Sequence, residues 1–336
     1  MKVMQVLAGH GQGGMEKHVA ELSRGLALQG DDVLVVCSAA VASLMPAEVR
    51  TSVINFGRAR WNPFMRRDVG RVIQAQAPDI VHAQGSKAVD ILVGMRSRFR
   101  APLVGTLHNI KKRTSGFAGC DLSIAVSRAL AASLVGPHRI IYNGVDCSQV
   151  ESGPLIRGNP VLAVGRLVPA KGFDLLLQAW KGLPFDLEIA GDGPEKEKLH
   201  GLIRALGLGR QVRLLGRVDD VTRRMRAAAG VVISSRREGF SYVAAEALLT
   251  RTPLLSTDVP VANEVLDPSL ILPTDPALMH QHLAQMLSCR EEWAEACRPA
   301  FAFAAAHFSL QAMVEATRQA YLDLLAGDDQ SSTFAR

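Results

Sequence analysis

Two carboxylates, Glu238 and Glu246, and two cations, Arg166 and Lys171, are the side chains of this chain best suited to act together on one ligand. The acids bracket the segment Glu238-Gly239-Phe240-Ser241-Tyr242-Val243-Ala244-Ala245-Glu246, and the cations bracket Arg166-Leu167-Val168-Pro169-Ala170-Lys171. Arginine offers a fixed fork of donors and lysine a mobile point charge, a complementary pair for phosphate oxygens. A carboxylate held at the ribose is a familiar partner for a bound nucleotide. The plain alternative is four exposed charges on a solvated surface. Against it stand the flanking glycines Gly165 and Gly172 and the turn Gly191-Asp192-Gly193-Pro194, where backbone must bend tightly or approach something closely.

These residues need particular elements to hold them. Residues 230–235 form a short apolar run that predicts a buried strand, and 242–249 have helical composition. Glu238 then falls in a loop, with a helix opening near Ser241 and Glu246 about two turns along. The unpaired N–H groups of a first helical turn suit an anion. Apolar runs at 161–164 and 187–190 predict two more strands, each leading into one of the glycine-flanked turns.

A chain of 336 residues with 48% hydrophobic content suggests two packed domains. The cysteines Cys37, Cys120, Cys147, Cys289 and Cys297 show neither a C-x-x-C pair nor zinc spacing and read as reduced thiols of a cytoplasmic protein. The first residues are too short for a signal peptide and read as a strand. No run approaches the roughly 18 apolar residues of a membrane helix. The charge is uneven: residues 1–150 hold 18 Lys and Arg against 10 Asp and Glu, whereas the remainder holds 20 against 22. A basic first half suggests an acidic partner or an anionic membrane surface, with plain solvation as the alternative.

Strand and helix alternate through the first half as well. Residues 1–7 lead into Gly9-His10-Gly11-Gln12-Gly13-Gly14, which fits G-x-G-x-x-G. A dinucleotide site would also need a carboxylate at the end of the second strand, and residues 33–38 end in Cys37-Ser38 instead. Asn62-Pro63 is a strong helix start. Around it Arg58, Arg60, Trp61, Phe64, Arg66 and Arg67 mix basic and aromatic side chains, as on a surface that meets anionic lipid. Strands are expected over 79–84, 103–108 and 122–127, and residues 140–146 read as a last strand with its Asn143-Gly144-Val145-Asp146 turn. His82 reads as structural, and His108 lies at a carboxyl end, where ligands sit in open parallel sheets.

The trio Gly-Arg-Leu-x-x-x-Lys-Gly at 165–172, Gly-x-Gly-Pro at 191–194 and Glu-Gly-Phe-x-x-x-x-x-Glu at 238–246 resembles, in order and spacing, the GT4 family of retaining glycosyltransferases. The resemblance covers almost the whole chain. It implies an α/β GT-B fold, two Rossmann-like doubly wound domains facing a central cleft. Residues 1–150 would bind acceptor, 151–308 would bind nucleotide sugar, and the 309–330 helix would cross back to the first domain. It implies that Arg166 and Lys171 hold the donor diphosphate, that Glu238 touches the donor sugar and that Glu246 touches the ribose. Gly239, Phe240, Ser241, Tyr242 and Val243 would line sugar and phosphate, the loop with Val218 would meet the base, and Gly14 would approach the diphosphate. His108 would face the donor sugar, with Gly13, Lys111, Lys112, Arg113, Arg66 and Arg67 on the acceptor side. The family more often has Gly-Phe-Gly-Leu where this chain has Gly239-Phe240-Ser241-Tyr242.

The resulting expectation is a metal-independent hexosyltransferase. The chain contains no Asp-x-Asp to hold a divalent ion on the diphosphate, and no cofactor is expected. The donor is expected to be a UDP-sugar. The acceptor is expected to be an anionic glycan or glycolipid of lipopolysaccharide core or other envelope polysaccharide, met at the cytoplasmic face of the inner membrane, with no role for nucleic acid. A sugar-nucleotide 2-epimerase of the same architecture and a non-catalytic nucleotide-sugar-binding partner are the alternatives. The intact Arg166, Lys171, Glu238 and Glu246 argue against the second.

Overall fold

The structure, a computed structural model, describes residues 1–333 apart from 10, 12, 111, 112 and 147–159, with side chains described as far as 327. It divides into two compact units, Met1–Gly144 with Leu310–Arg336, and Val145–Ser309. The glycine- and proline-bearing linker expected at 151–159 lies outside the described residues.

The first unit is built on seven parallel strands: β1 Lys2–Leu7, β2 Asp32–Cys37, β3 Arg50–Val53, β4 Ile80–Gln84, β5 Leu103–Leu107, β6 Leu122–Ala125 and β7 His138–Ile140. Their order is β3-β2-β1-β4-β5-β6-β7, so the direction of winding turns between β1 and β4, which pair from Val3 with Ile80 to Leu7 with Gln84. The inner strands are apolar runs buried on both faces, as a helix-covered parallel sheet requires. Two expectations are corrected here. The strand expected to start at 140 and run up to the 143–146 turn instead ends at 140, as His138–Ile140, because beyond it the chain turns to meet the last helix, where the Gly144 N–H donates to Met313 Sδ at 3.0 Å. The edge strand β3, Arg50-Thr51-Ser52-Val53, carries no apolar run and gave no signal in the sequence.

The helix Gly14–Leu28 buries Val19, Leu22 and Leu26 at helical spacing. The last helix, Leu310–Thr333, belongs to this unit. It buries Met313, Val314, Thr317, Ala320 and Tyr321, and its Arg318 donates to the buried Asp31 at 2.9 Å. Tyr321 reaches through to the sheet. Its hydroxyl lies 2.6 Å from His82 Nδ1, and His82 Nε2 lies 2.6 Å from Thr106 Oγ1. His82 is therefore the structural histidine the sequence suggested.

The second unit repeats the plan with β8 Val161–Val164, β9 Leu187–Ala190, β10 Val212–Gly216, β11 Gly230–Ile233, β12 Leu254–Thr257 and β13 Ile271–Leu272. The order is β10-β9-β8-β11-β12-β13, every pair is parallel, and the winding turns between β8 and β11. Each unit is thus a doubly wound, Rossmann-like α/β layer structure.

Among the described residues three histidines are buried in the first unit, and burial disfavours their charged form. His18 is lowered to about 4, with the Asn143 side chain pulling slightly the other way, His82 to about 3, and His108 well below the ordinary value of 6.5. Below pH 6.5 the unfolded chain binds protons that the folded chain refuses. Stability should therefore be full above that pH and fall from about 6.5 towards about 4, by up to roughly 1.4 kcal/mol per pH unit per histidine. Urea unfolding at stepped pH checks this, and His82→Gln should flatten the slope over that window.

Candidate functional site

In the second unit the loops after β8 and β11 leave the sheet side by side at the turn in strand order, the place where open α/β sheets bind ligands. The first loop carries Arg166 and Lys171, and the second carries Glu238. Lys171 Nζ lies 2.5 Å from Glu238 Oε1, and Ser235 Oγ donates to the same oxygen at 2.8 Å. Ser234 Oγ donates to the Lys171 carbonyl at 3.0 Å. The Arg236 guanidinium grips Asp174 with two hydrogen bonds of 2.7 and 2.8 Å and so holds that carboxyl below its ordinary range. Lys171 and Glu238, expected to act at different parts of a ligand, therefore meet in one ion pair in the free protein. Arg166 is exposed, and its guanidinium has no partner among the described residues.

The glycines of this edge are set by the backbone. Gly172 has φ of 64°, and a Cβ there would stand 2.0 Å from the Ser234 carbonyl oxygen. At Gly191 the Cβ would stand 1.9 Å from the Gly165 carbonyl oxygen. The loops thus close on one another through bare backbone. Strain of another kind lies after β12, where the fully buried Val261, a β-branched residue, holds φ of 76°.

The helix Tyr242–Leu249 starts where the sequence placed it. Ser241, where the family more often has glycine, is buried and caps this helix by accepting the Ala244 N–H at 3.4 Å. Gly239 and Phe240 are buried, the Phe240 ring meeting Tyr242 at 5.1 Å and Phe308 at 6.0 Å. Tyr242, Val243, Glu246 and Val218 are half-buried.

In the first unit a cavity of about 900 Å³ opens at the carboxyl ends of β1, β4 and β5, again at the turn in strand order. His108 lines it, buried, with Nε2 2.7 Å from Gln84 Oε1. Arg113 lines it too and is exposed, whereas Lys111 and Lys112 lie outside the described residues. Gly13 caps the helix that Gly14 begins. The expected basic cluster divides. Arg60 lines the cavity, paired with Asp90. Arg66, expected on the acceptor side, stacks 4.7 Å over Trp61 and donates to the carbonyls of Arg60 and Gly94 at 3.3 and 3.2 Å. Arg67, with Arg58, Phe64 and Arg71, faces outward from the helix Pro63–Gln76. Sequence reasoning missed His18, whose ring packs edge-on at 4.7 Å against His108, and the buried Gln5 and Gln84. Their only signal was a polar residue inside an apolar run. Among the described residues no group of three or more His, Cys, Asp or Glu gathers as for a metal ion.

Two family models match. Residues 155–300 fit the model described as glycosyl transferases group 1, and residues 12–149 fit the model described as glycosyltransferase family 4. The lipopolysaccharide core biosynthesis glycosyltransferase LpsE of Rhizobium meliloti is 28% identical over 56% of this chain and 58% of its own length, less than two-thirds of that protein. A phosphatidyl-myo-inositol mannosyltransferase of Mycobacterium leprae is 28% identical over 76% of this chain and 77% of its own. The crystal structure of Anabaena HepE in complex with UDP and glucose superposes with a TM-score of 0.79 at 21% identity, covering 96% of this chain and 100% of that one. That last likeness is one of fold, and the fold is the GT-B class.

The close approach at Gly172 makes a direct test of the loop packing. Gly172→Ala should destabilise the protein by more than about 1 kcal/mol, through the left-handed backbone and the contact with Ser234 together. Gly209→Ala, where a Cβ meets nothing within 4 Å, should stay within about 0.5 kcal/mol of the parent in the same denaturant titration.

Proposed function

This chain belongs to the group 1, family 4 glycosyltransferases, and we propose that it moves a sugar, with retention of configuration, from a UDP-sugar to an anionic glycan or glycolipid acceptor of the cell envelope. The observation that carries the donor reading is the set of charges on one edge of the second unit: an unpartnered Arg166 beside the Lys171–Glu238 pair. In this reading a donor diphosphate takes Arg166 and draws Lys171 away from Glu238. The freed carboxylate then accepts from hydroxyls of the donor sugar. Glu246 holds the ribose, and the loop with Val218 lies against the base. The UDP bound by the Anabaena protein supports the choice of nucleotide, and the naming of the Rhizobium relative supports an envelope acceptor.

The transfer needs charge stabilisation where the nucleoside diphosphate departs, and Arg166 and Lys171 supply it without a metal ion. The acceptor hydroxyl attacks the anomeric carbon from the face the diphosphate leaves. Its proton passes to a departing phosphate oxygen as the carbon–oxygen bond to the diphosphate breaks. A double displacement would instead need two carboxyls about 5 Å apart across the bond. Glu238 in its loop and Glu246 well inside the next helix do not suit that arrangement. The acceptor is assigned to the basic first unit. Trp61 and Phe64, 64% and 63% exposed among arginines, would rest on an anionic membrane surface, which release from anionic vesicles by added salt would check. Among the described residues no helix is long and apolar enough to cross a membrane.

UDP-sugars at about 100 times their dissociation constant should stabilise the protein by roughly 2.7 kcal/mol, and no stabilisation by any nucleotide sugar would overturn the reading. Glu246→Gln should weaken donor binding by about 1.5–3 kcal/mol, the worth of a hydrogen bond to a charged group, and leave folding unchanged. Transfer should persist in excess EDTA. Activity lost on chelation and restored by Mn²⁺ would show that the cations do not suffice.

A further inference from the structure

A groove of about 810 Å³ runs along the second unit, where the helices Arg290–Ala296 and Arg298–His307 pass the turn that ends the helix Tyr242–Leu249. Trp293, Cys297, Ala300 and Ala304 fill the buried side of the helix pair. The other side faces the groove, where Ala302 and Ala305 are exposed beside the half-buried Phe301. None of the candidate donor residues lines it.

Arg251, in the turn, lines the groove in a strained form. Its N–H donates to the Leu248 carbonyl at 3.1 Å, and the next, of Thr252, donates to the Ala247 carbonyl at 2.8 Å. That pair of bonds ends a helix through one left-handed residue, for which glycine is the usual choice. Arg251 holds φ of 54° there, at the cost that any Cβ brings. The helix dipole offsets part of that cost. No carboxylate does so: Arg251 is exposed and has no partner among the described residues.

The other charges of the groove are mostly in use. Arg298 is paired with Glu295 at 2.7 Å, and the Arg290 guanidinium lies 5.9 Å over the Phe185 ring. Glu291 is exposed and, like Arg251, has no partner among the described residues. The groove therefore holds an unpaired charge of each sign beside an apolar helix face. A ligand of one sign would satisfy one of them and be repelled by the other. A fitting partner carries both signs at the same spacing, and the groove itself is such a surface. Across a two-fold axis residue i of one copy meets residue j of the other, and j meets i. Residues 151–336 hold 20 Lys and Arg against 22 Asp and Glu, so second units can meet without the repulsion of the basic first half.

We propose that the chain self-associates through this groove as a two-fold dimer, with Arg251 of each copy paired to Glu291 of the other and the Ala302 and Ala305 faces of the two Arg298–His307 helices in contact. An interface of two short helices is at the small end for a specific complex, so the dimer belongs to the micromolar range. Arg251 lies at the opposite end of its helix from Ser241, and the dimer does not depend on the transferase reading.

Sedimentation of the full chain from low to high micromolar concentration tests this. The parent should pass from monomer to a species of twice the mass, and added salt should move that change to higher concentration. Arg251→Glu and Glu291→Arg each set like charges against one another twice, and each should weaken association at least about tenfold. Mixing the two variants in equal amounts restores both contacts between opposite charges, so dimer should return to about the parent level. Arg251→Gly guards against a folding defect. Glycine accepts the left-handed turn, so at a dilution where the parent is monomeric this variant should melt no lower than the parent, yet it should associate more weakly. A dimer that ignores both charge reversals, or single variants that stay apart when mixed, overturns the proposal. A parent that stays monomeric at every concentration overturns it too, and leaves the groove to a partner other than this chain.

Discussion

A parallel sheet sends every strand the same way, so all the carboxyl ends, and the helix N-termini that follow them, collect on one edge. Where the winding reverses, two neighbouring strands send their loops apart, and a gap opens between loops whose backbone N–H groups are unpaired. Both units have this reversal, between β1 and β4 in one and between β8 and β11 in the other. The glycines there let loop backbones touch, as Gly191 does against the Gly165 carbonyl.

Two ion pairs at the second reversal show how similar contacts serve different ends. Arg236 and Asp174 meet in a two-pronged grip, and Arg236 also donates to the Pro169 carbonyl, so one exposed side chain links the loop after β11 to the loop and helix after β8. Exposed pairs of this kind contribute at most about 1 kcal/mol, and the value of this one lies in its geometry. The Lys171–Glu238 pair is more sheltered, and Ser235 donates a second hydrogen bond to the same carboxylate oxygen. It keeps each charge compensated while leaving both side chains partly open to the surface.

The first unit makes a different use of polarity. Gln5, Gln84, His82 and Thr106 lie inside a sheet otherwise rich in Val, Ile and Leu, and the buried Ser23 faces it from the helix Gly14–Leu28. A buried polar atom without a partner costs about 1–3 kcal/mol, so such groups persist where they satisfy one another. Here they form two rows. One runs from Tyr321 through His82 to Thr106 and ties the last helix to the sheet. The other runs from Ser23 through the two glutamines to His108 and ends at a nitrogen with nothing to bond. The first row closes on the last helix, whereas the second ends at His108 Nδ1, which is buried without a partner among the described residues.

The sequence by itself determined the alternation of strand and helix, the division into two doubly wound sheets and the loops that carry Arg166, Lys171 and Glu238. Those features are written locally, in apolar runs, in glycine turns and in the caps at Asn62 and Ser241. It was silent on β3, whose polar residues pair only because β2 offers them an edge, and it set β7 about two residues late, because the chain before the Asn143-Gly144 turn answers to a helix some 170 residues later. Tertiary structure alone decided that Lys171 and Glu238 share a proton-bearing contact, that Arg66 spends its charge on backbone carbonyls while Arg113 does not, and that Gln84 sets the tautomer of His108. Each of these depends on which side chains from distant strands arrive at the same few ångströms. Spacing along the chain does not encode that, because it is a property of how the strands are ordered in the sheet.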